Sequence, residues 1–383
     1  MNLSEFIPQF ERVYAARPRV FRAPGRVNLI GEHTDYNDGF VMPAAVGFST
    51  YAGIAPRTDR KLVLQSQEFP GCFEFDLDNL PQQRNQAWVD YVVGVATVLR
   101  RRGIHLEGAN LLVNGNIPIG AGLSSSAALE VVSTLAFLSL TGTQMPLPEV
   151  ATLCREAENT YVGAHVGIMD QYISCMGKAG HAMLLDCRSL EFRLVPIPPG
   201  LQLVVCNTMV KHDVATSGYN VRRAQCEEGV GYFVKWYPNI RALRDVSTEM
   251  LHEHSKDLSP VILKRCTHVI LENQRTVEAA RSLTDRDLAR MKELMAESHA
   301  SMRDLYEISC QEVDIMVDSA QDLPGFCGGR MTGGGFGGCT INLVRTGNAS
   351  DFAAQIADRY QRATNIKPQI YICSAEDGAQ ALN

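Results

Sequence analysis

In NLLVNGNIPIGAGLSSSAALEVVSTLAFL a strand-like apolar run meets glycines, and then three serines open a helix with an apolar face. Free N–H groups at a helix N-terminus, with the positive end of its dipole, bind anions, and Gly120 and Gly122 let the backbone approach a phosphate. No Lys-Ser or Lys-Thr follows the glycines, so this is no Walker A loop. Charge on a triphosphate must then be met by Mg²⁺ and by residues from elsewhere. Serine is also a good N-cap residue and glycine a good turn former, which keeps a purely structural reading open. Three consecutive serines exceed what capping requires, and the Ser126 hydroxyl is the best placed to ligate magnesium, a hard cation that prefers oxygen.

Two acids follow. Glu158 sits near the end of a helix, before the loop GAHVG, and Asp170 lies among apolar residues in GIMDQYISCMG. Phosphoryl transfer to a hydroxyl needs an acceptor for the hydroxyl's proton and a carboxylate for magnesium, and these two acids have separable roles of that kind. An isolated acid is more often a helix cap, a partner of a core arginine or a solvated charge, and spacing does not choose between the readings. Further upstream, RAPGRVNLIGEHTDYNDG turns out of a strand at Pro24 and Gly25 and ends in an expected hairpin turn at 37–39. Its Arg26, Glu32, His33 and Asp35 suit a polyhydroxylated ligand, because each hydroxyl both donates and accepts and a carboxylate takes two donors at once. The bland alternative is a surface loop with satisfied charges. A third glycine segment, MTGGGFGGC from Met331 to Cys339, offers backbone and little else.

Positioning these segments takes a sizeable core, and 383 residues with 45% apolar content can bury one, most simply as two domains with a cleft between them. A net charge of -6 with dispersed Lys and Arg argues against nucleic acid or an anionic membrane as partner and for a small molecule. No apolar run reaches membrane-spanning length. The first residues show helical spacing at Phe6, Phe10 and Val13 rather than a signal-peptide core, so an intracellular protein is expected. The 11 cysteines are scattered and never form a CxxC pair, which reads as buried, reduced thiols; His252 and His254 lack a third ligand, so no zinc site is expected.

Strands are expected at 20–23, 49–55, 61–67 and 110–114. Apolar spacing at Val92, Val95, Ala96 and Leu99, and again from Leu147 to Tyr161, marks helices. VPIPPG at 195–200 is a connector, which sets domains of 1–196 and 197–383. Beyond it a strand at 201–207, helices at 259–283 and 285–305, and strands near 327–331 and 339–344 complete an α+β pattern. No internal repeat or low-complexity tract is present.

Gly25 to Tyr36 resembles the signature of galactokinases, while Gly120 to Ala128 and Met331 to Gly338 look like the second and third motifs of the wider superfamily of galacto-, homoserine, mevalonate and phosphomevalonate kinases. GIMDQ at 167–171, LLDCRSLE at 184–191, YNVRRAQCE at 219–227 and AESHASMRD at 296–304 are also galactokinase-like, more so in bacterial form. The resemblance implies a two-domain α+β fold of mixed sheets and helices with its active site in the cleft between domains. It implies ATP-dependent phosphorylation of α-D-galactose at the anomeric oxygen, the first committed step of galactose use, in a cytoplasmic protein; a monomer is expected, with an oligomer left open.

By the same resemblance Glu32, His33, Thr34, Asp35, Gly167 and Tyr219 hold the sugar. Asp170 meets the anomeric hydroxyl, with Arg26 beside it favouring the carboxylate and stabilising the transferring phosphoryl group. Gly120, Ala121, Gly122, Leu123, Ser124, Ser125 and Ser126 wrap the ATP phosphates, Ser126 and Glu158 face Mg²⁺, and Trp88 and Tyr91 lie near the adenine. Gly218 stands where an acidic residue is usual, and 164–166 departs from the usual loop, which puts sugar contacts from those two loops in doubt. A kinase for N-acetylgalactosamine or arabinose is the rival within the class. A non-catalytic sugar and nucleotide sensor is the rival outside it, although such sensors lack the Ser-Ala pair that is complete here at 124–128.

Overall fold

The computed structural model describes residues 3–84, 87–118, 120–211 and 215–383. Its strands are β1 (Arg19–Asn28), β2 (Phe40–Val41), β3 (Pro43–Pro56), β4 (Lys61–Ser66), β5 (Cys72–Asp76), β6 (Ala109–Gly115), β7 (His181–Asp186) and β8 (Phe192–Pro196), then β9 (Leu201–Lys211), β10 (Phe326–Thr332), β11 (Gly337–Arg345), β12 (Gln369–Cys373) and β13 (Gln380–Ala381). The first sheet has the order β13-β1-β3-β6-β4-β5 and is antiparallel except where β4 meets β6. A second, β10-β11-β9-β12, is wholly antiparallel, and a small third sheet is ordered β2-β7-β8.

The first long pairing carries the site. β1 and β3 run side by side from Arg19 opposite Ile54 to Asn28 opposite Pro43, with a bulge between Pro24 and Arg26. The chain therefore does not leave the strand at Gly25 as expected; the bulge re-aims Arg26 instead. A side chain at Gly25 would lie 2.5 Å from the Leu123 carbonyl, so only glycine lets β1 lie against the phosphate loop. The turn at 37–39 is likewise no tight hairpin. Residues 35–37 form a short 3₁₀ turn, Asp38 takes a left-handed conformation, and β2 then pairs with β7.

The helix Ser125–Thr141 packs on β1 and β3, flanked by helices Val89–Arg101, Leu147–Ala157 and Met169–Met176. It is apolar almost all round, as a helix covered on several sides must be. In the second half, helix Leu288–Ser301 lies on β10, while Pro260–Thr284 reaches across to β2, β7 and β8. One buried cluster joins Val27 and Ile30 to Ala280, Met291 and Ile341, so a continuous core underlies the cleft. Near the C-terminus β13 returns to pair with β1.

Two expected helices end differently from their apolar spacing. The helix from Leu147 gives way at Glu158 to a π-helical turn, Glu158–Val162, and the helix from Leu288 ends in another, Met302–Tyr306. Such turns frequently mark functional positions. In the first helix, Leu3–Tyr14, Phe6 and Phe10 are buried but Val13 is exposed. Among the described residues no helix is long and apolar enough to cross a membrane. The cysteines are unpaired, and all but Cys72 and Cys310 are buried.

Candidate active site

Arg26 and Asp170 meet where β1 approaches the helix Met169–Met176. Arg26 Nε donates to Asp170 Oδ1 and Nη2 to Oδ2, both at 2.8 Å, a bidentate pair of the strong, planar kind. Arg26 Nη1 donates to the Gly122 carbonyl at 2.6 Å and its backbone N–H to Leu123 O at 3.0 Å. The phosphate loop thus grips the same arginine that grips the acid. Ser124 Oγ donates to Asp170 Oδ2.

On one side of this pair lies a cavity of about 160 Å³ whose wall includes Glu32, His33, Asp35, Gly167 and Tyr219. Asp35 Oδ1 accepts from the Tyr36 N–H, and burial, then the nearby charge of Asp170, pushes its carboxyl up to about 6. Gly167 is there because nothing larger fits: a Cβ would fall 1.7 Å from Asp35 Oδ2. His33 adopts φ +63, its Nδ1 lies 2.7 Å from Tyr36 Oη and its Nε2 3.3 Å from Gly334 O. Burial, then His268, lowers it to about 3, so the ring is neutral; Nε2–H donates to the carbonyl and Nδ1 accepts from the phenol. Tyr36 in turn meets Tyr306 Oη at 2.8 Å.

Glu32 reaches the same wall but is largely occupied. It is 2% exposed, Oε2 accepts from Asn28 and Arg330, and Oε1 accepts from Gly333 N–H at 2.8 Å, with Thr332 Oγ1 3.3 Å away and closer to another acceptor, Asn28 O, at 3.0 Å. Only Oε1, with its longer second contact, has room for a ligand hydroxyl. Thr34 is not part of this wall: it is fully buried, and its hydroxyl lies 2.7 Å from Phe40 O and 2.9 Å from Gly31 O, where it closes the loop.

On the other side of the Arg26–Asp170 pair is a cavity of about 410 Å³ lined by Gly120, Gly122, Leu123, Ser124, Ser125 and Ser126 and, opposite, by the third glycine segment. Ala121 is buried behind it and accepts from Cys339 Sγ at 2.9 Å. Gly335 has φ +86 and would place a Cβ 2.6 Å from Ile308 O, which is why that position is glycine. Tyr91, Ser125 and Ser126 continue into a third cavity of about 460 Å³, mostly apolar, with Trp88, Phe69, Ile117 and Leu129 on its wall. The three spaces form one trough.

Glu158 is buried and accepts from Gln171 Nε2 at 2.6 Å, while the same amide lies 3.2 Å from Glu130 Oε2. Burial pushes Glu158 up to about 7, reinforced by Asp170 and opposed by the Ser126 hydroxyl. Glu130 is driven well upward by burial and by Glu158. Among the described residues no group of three or more His, Cys, Asp or Glu is arranged to hold a metal ion. Buried acidic charge beside a hydroxyl nevertheless fits Mg²⁺, which commonly takes one or two carboxylates and completes its shell with water and substrate phosphates.

Several of these residues are not visible from motifs. Glu130 is hidden inside the apolar helix that follows the serines, and Arg330, fully buried, lies in β10 just before the third glycine segment. A charged residue in a segment otherwise free of charge was the available signal. His268, Glu272 and Asn273, on one long helix, hold the sugar-side loop by its backbone: His268 Nε2 lies 3.2 Å from Glu32 O, Glu272 accepts from Gly31 N–H and Asn273 from Phe40 N–H. The two departing loops also find places. Val166 lines the smallest cavity, and Gly218 packs beneath Phe336, whose ring a Cβ would meet at 2.5 Å.

The galactokinase galactose-binding signature matches residues 8–56, the GHMP kinase N-terminal domain matches 90–178 and the GHMP kinase C-terminal model matches 277–362. The galactokinase of Roseiflexus sp. (strain RS-1) is 44% identical over 99% of this chain and 97% of its own length, and that of Chloroflexus aggregans is 45% identical over 100% and 98%. The crystal structure of Lactococcus lactis galactokinase complexed with galactose superposes with a TM-score of 0.95 at 34% identity, covering 99% of this chain and all of the other. A mevalonate kinase, at 16% identity and a TM-score of 0.65, shares the fold. With likeness at this level over its full length, and the signature lying on the strand and loop that wall the smallest cavity, the chain belongs to the galactokinase family of the GHMP kinases.

Proposed function

We propose that the chain transfers the γ-phosphoryl group of ATP to the anomeric hydroxyl of α-D-galactose, releasing α-D-galactose 1-phosphate and ADP. One observation carries the reading: the Arg26–Asp170 pair is the common wall of a small, acceptor-lined cavity and of a glycine- and serine-lined cradle. An acceptor hydroxyl and a phosphate can therefore meet across a single carboxylate and a single guanidinium.

In this reading Asp35, Tyr219, the Gly167 backbone and Glu32 Oε1 bind sugar hydroxyls, His33 joins them by exchanging its long 3.3 Å contact with Gly334 O for a hydroxyl, and Thr34 keeps their loop closed. Asp170 accepts the hydrogen of the anomeric hydroxyl, and Arg26 stabilises charge on the phosphoryl group in transit. The loop 120–126 supplies N–H groups and the Ser125 hydroxyl to the nucleotide phosphates, and the apolar space beside Trp88 and Tyr91 takes the adenine. Ser126 and Glu158 would hold Mg²⁺, which when bound neutralises phosphate charge. The domains divide at 196/197, and the enzyme works in the cytoplasm on small molecules, with neither nucleic acid nor membrane as partner, as a monomer or an oligomer.

A coupled ADP-release assay across galactose, 2-deoxygalactose, N-acetylgalactosamine, arabinose and glucose tests it. The expected result is the highest kcat/KM for galactose. A higher value for another sugar would move the specificity, and binding of sugar and nucleotide without turnover would identify a sensor.

A further inference from the structure

Serine at the start of a helix ordinarily caps it: the residue is extended and its hydroxyl accepts from an N–H one turn on. Ser124 does neither. It precedes the helix Ser125–Thr141 with φ +60 and ψ +48, makes no side-chain cap, and donates its hydroxyl hydrogen to Asp170 Oδ2. A left-handed conformation is uncommon and unfavourable for a residue with a Cβ. Here it accompanies a hydroxyl spent on Asp170 rather than on the helix end. The two serines that follow also line the cradle.

Asp170 can then be inventoried atom by atom. Each carboxylate oxygen has room for about two donors. Among the described residues Oδ2 receives Arg26 Nη2 and Ser124 Oγ, whereas Oδ1 receives Arg26 Nε alone. We propose that Ser124 is a positioning residue for Asp170 rather than a phosphate ligand, and that by filling Oδ2 it makes Oδ1 the oxygen that accepts the sugar's proton.

This inference rests on the reading of Asp170 as the base. The proton of the anomeric hydroxyl passes to Oδ1 while the sugar oxygen forms its bond to the γ-phosphorus. The bond from that phosphorus to the β,γ-bridging oxygen breaks, and ADP leaves with the electron pair. Through Gly122, Leu123 and Ser124 the nucleotide loop holds both members of the Arg26–Asp170 pair, so the base is aimed from the nucleotide side of the cleft.

Ser124→Ala removes only the hydroxyl, since serine already carries the Cβ. Loss of a hydrogen bond to a charged group should lower kcat roughly ten- to a hundredfold, with the affinity for a non-hydrolysable ATP analogue kept within about twofold. In an Asp170→Asn background the same change should have no further effect, because residues acting through one group are non-additive. Ser125→Ala, by contrast, should weaken nucleotide affinity. If Ser124→Ala proves unstable, Ser124→Gly takes the left-handed conformation without strain and should behave alike. The proposal is overturned if losing the hydroxyl weakens nucleotide binding with kcat preserved, leaves both unchanged, or lowers kcat equally in the Asp170→Asn background. Near-normal turnover of Asp170→Asn itself would instead defeat the base assignment.

Discussion

Two arginine-paired carboxylates share the wall of the small cavity, Asp170 held by Arg26 and Glu32 held by Arg330 from behind the wall, and they differ in what they leave open. The Asp170 side chain is 27% exposed, with Arg26 at 8%; the Glu32 side chain is 2% exposed and that of Arg330 fully buried. Asp170 keeps one lone-pair direction toward the cleft. Glu32 binds Asn28 on β1, Arg330 and Thr332 on β10 and the Gly333 backbone, so it ties the sugar-side loop to the third glycine segment. An arginine–carboxylate pair can thus stay open to a cavity or serve as a crosslink where donors nearly fill it, and only the surroundings tell the two apart.

The sharpest way to break this comparison is to remove each charge in turn. Asp170→Asn should lower kcat by about 10²- to 10⁴-fold with nucleotide affinity nearly intact. Its folding stability should change little, because neutralising Asp170 relieves repulsion on Asp35 and Glu158 while the Arg26 pair is lost. Arg330→Ala should do the reverse and lower unfolding free energy by about 3–5 kcal/mol, since it strands a buried carboxylate. Urea denaturation of both variants decides the matter; equal destabilisation would erase the distinction.

A smaller effect sharpens the cavity side. Gly167→Ala forces a methyl into Asp35 and should weaken galactose binding by about 1–3 kcal/mol, read by calorimetry, with nucleotide binding unaffected. The least effect is expected from pH. The folded Asp35 carboxyl is raised from 3.8 to about 6, so its contribution to the stability of the sugar-free protein is full below about 3.8 and is lost as pH rises through 6. Galactose affinity should run the other way and fall as pH drops through 6, because a protonated Asp35 loses acceptor capacity. His33, already neutral, should add nothing between pH 5 and 8. A flat galactose affinity from pH 5 to 7 would remove Asp35 from the sugar-binding set.

Much of the fold was legible because its segments keep strict periodicity. β3, β4, β6 and the helices at 89–101 and 260–284 overlap the stretches that apolar spacing marked. Less legible were the places where tertiary contact overrides local preference. Pro24 and Gly25 read as a turn, yet close packing on Leu123 keeps them within β1 as a bulge. Glu158 and Tyr306 belong to π turns that no apolar pattern distinguishes from helix.

Residue type and spacing supply the inventory: the glycines that permit close approach, the serines at a helix start, and the acids and arginines available for a site. Side-chain type and spacing are local properties, and a motif records them directly. Which arginine meets which acid, and which hydroxyl is spent, follows from long-range packing alone. Those pairings join residues as far apart as 26 and 170 or 32 and 330, and depend on a bulge, a left-handed serine and a shared core that spacing along the chain does not encode.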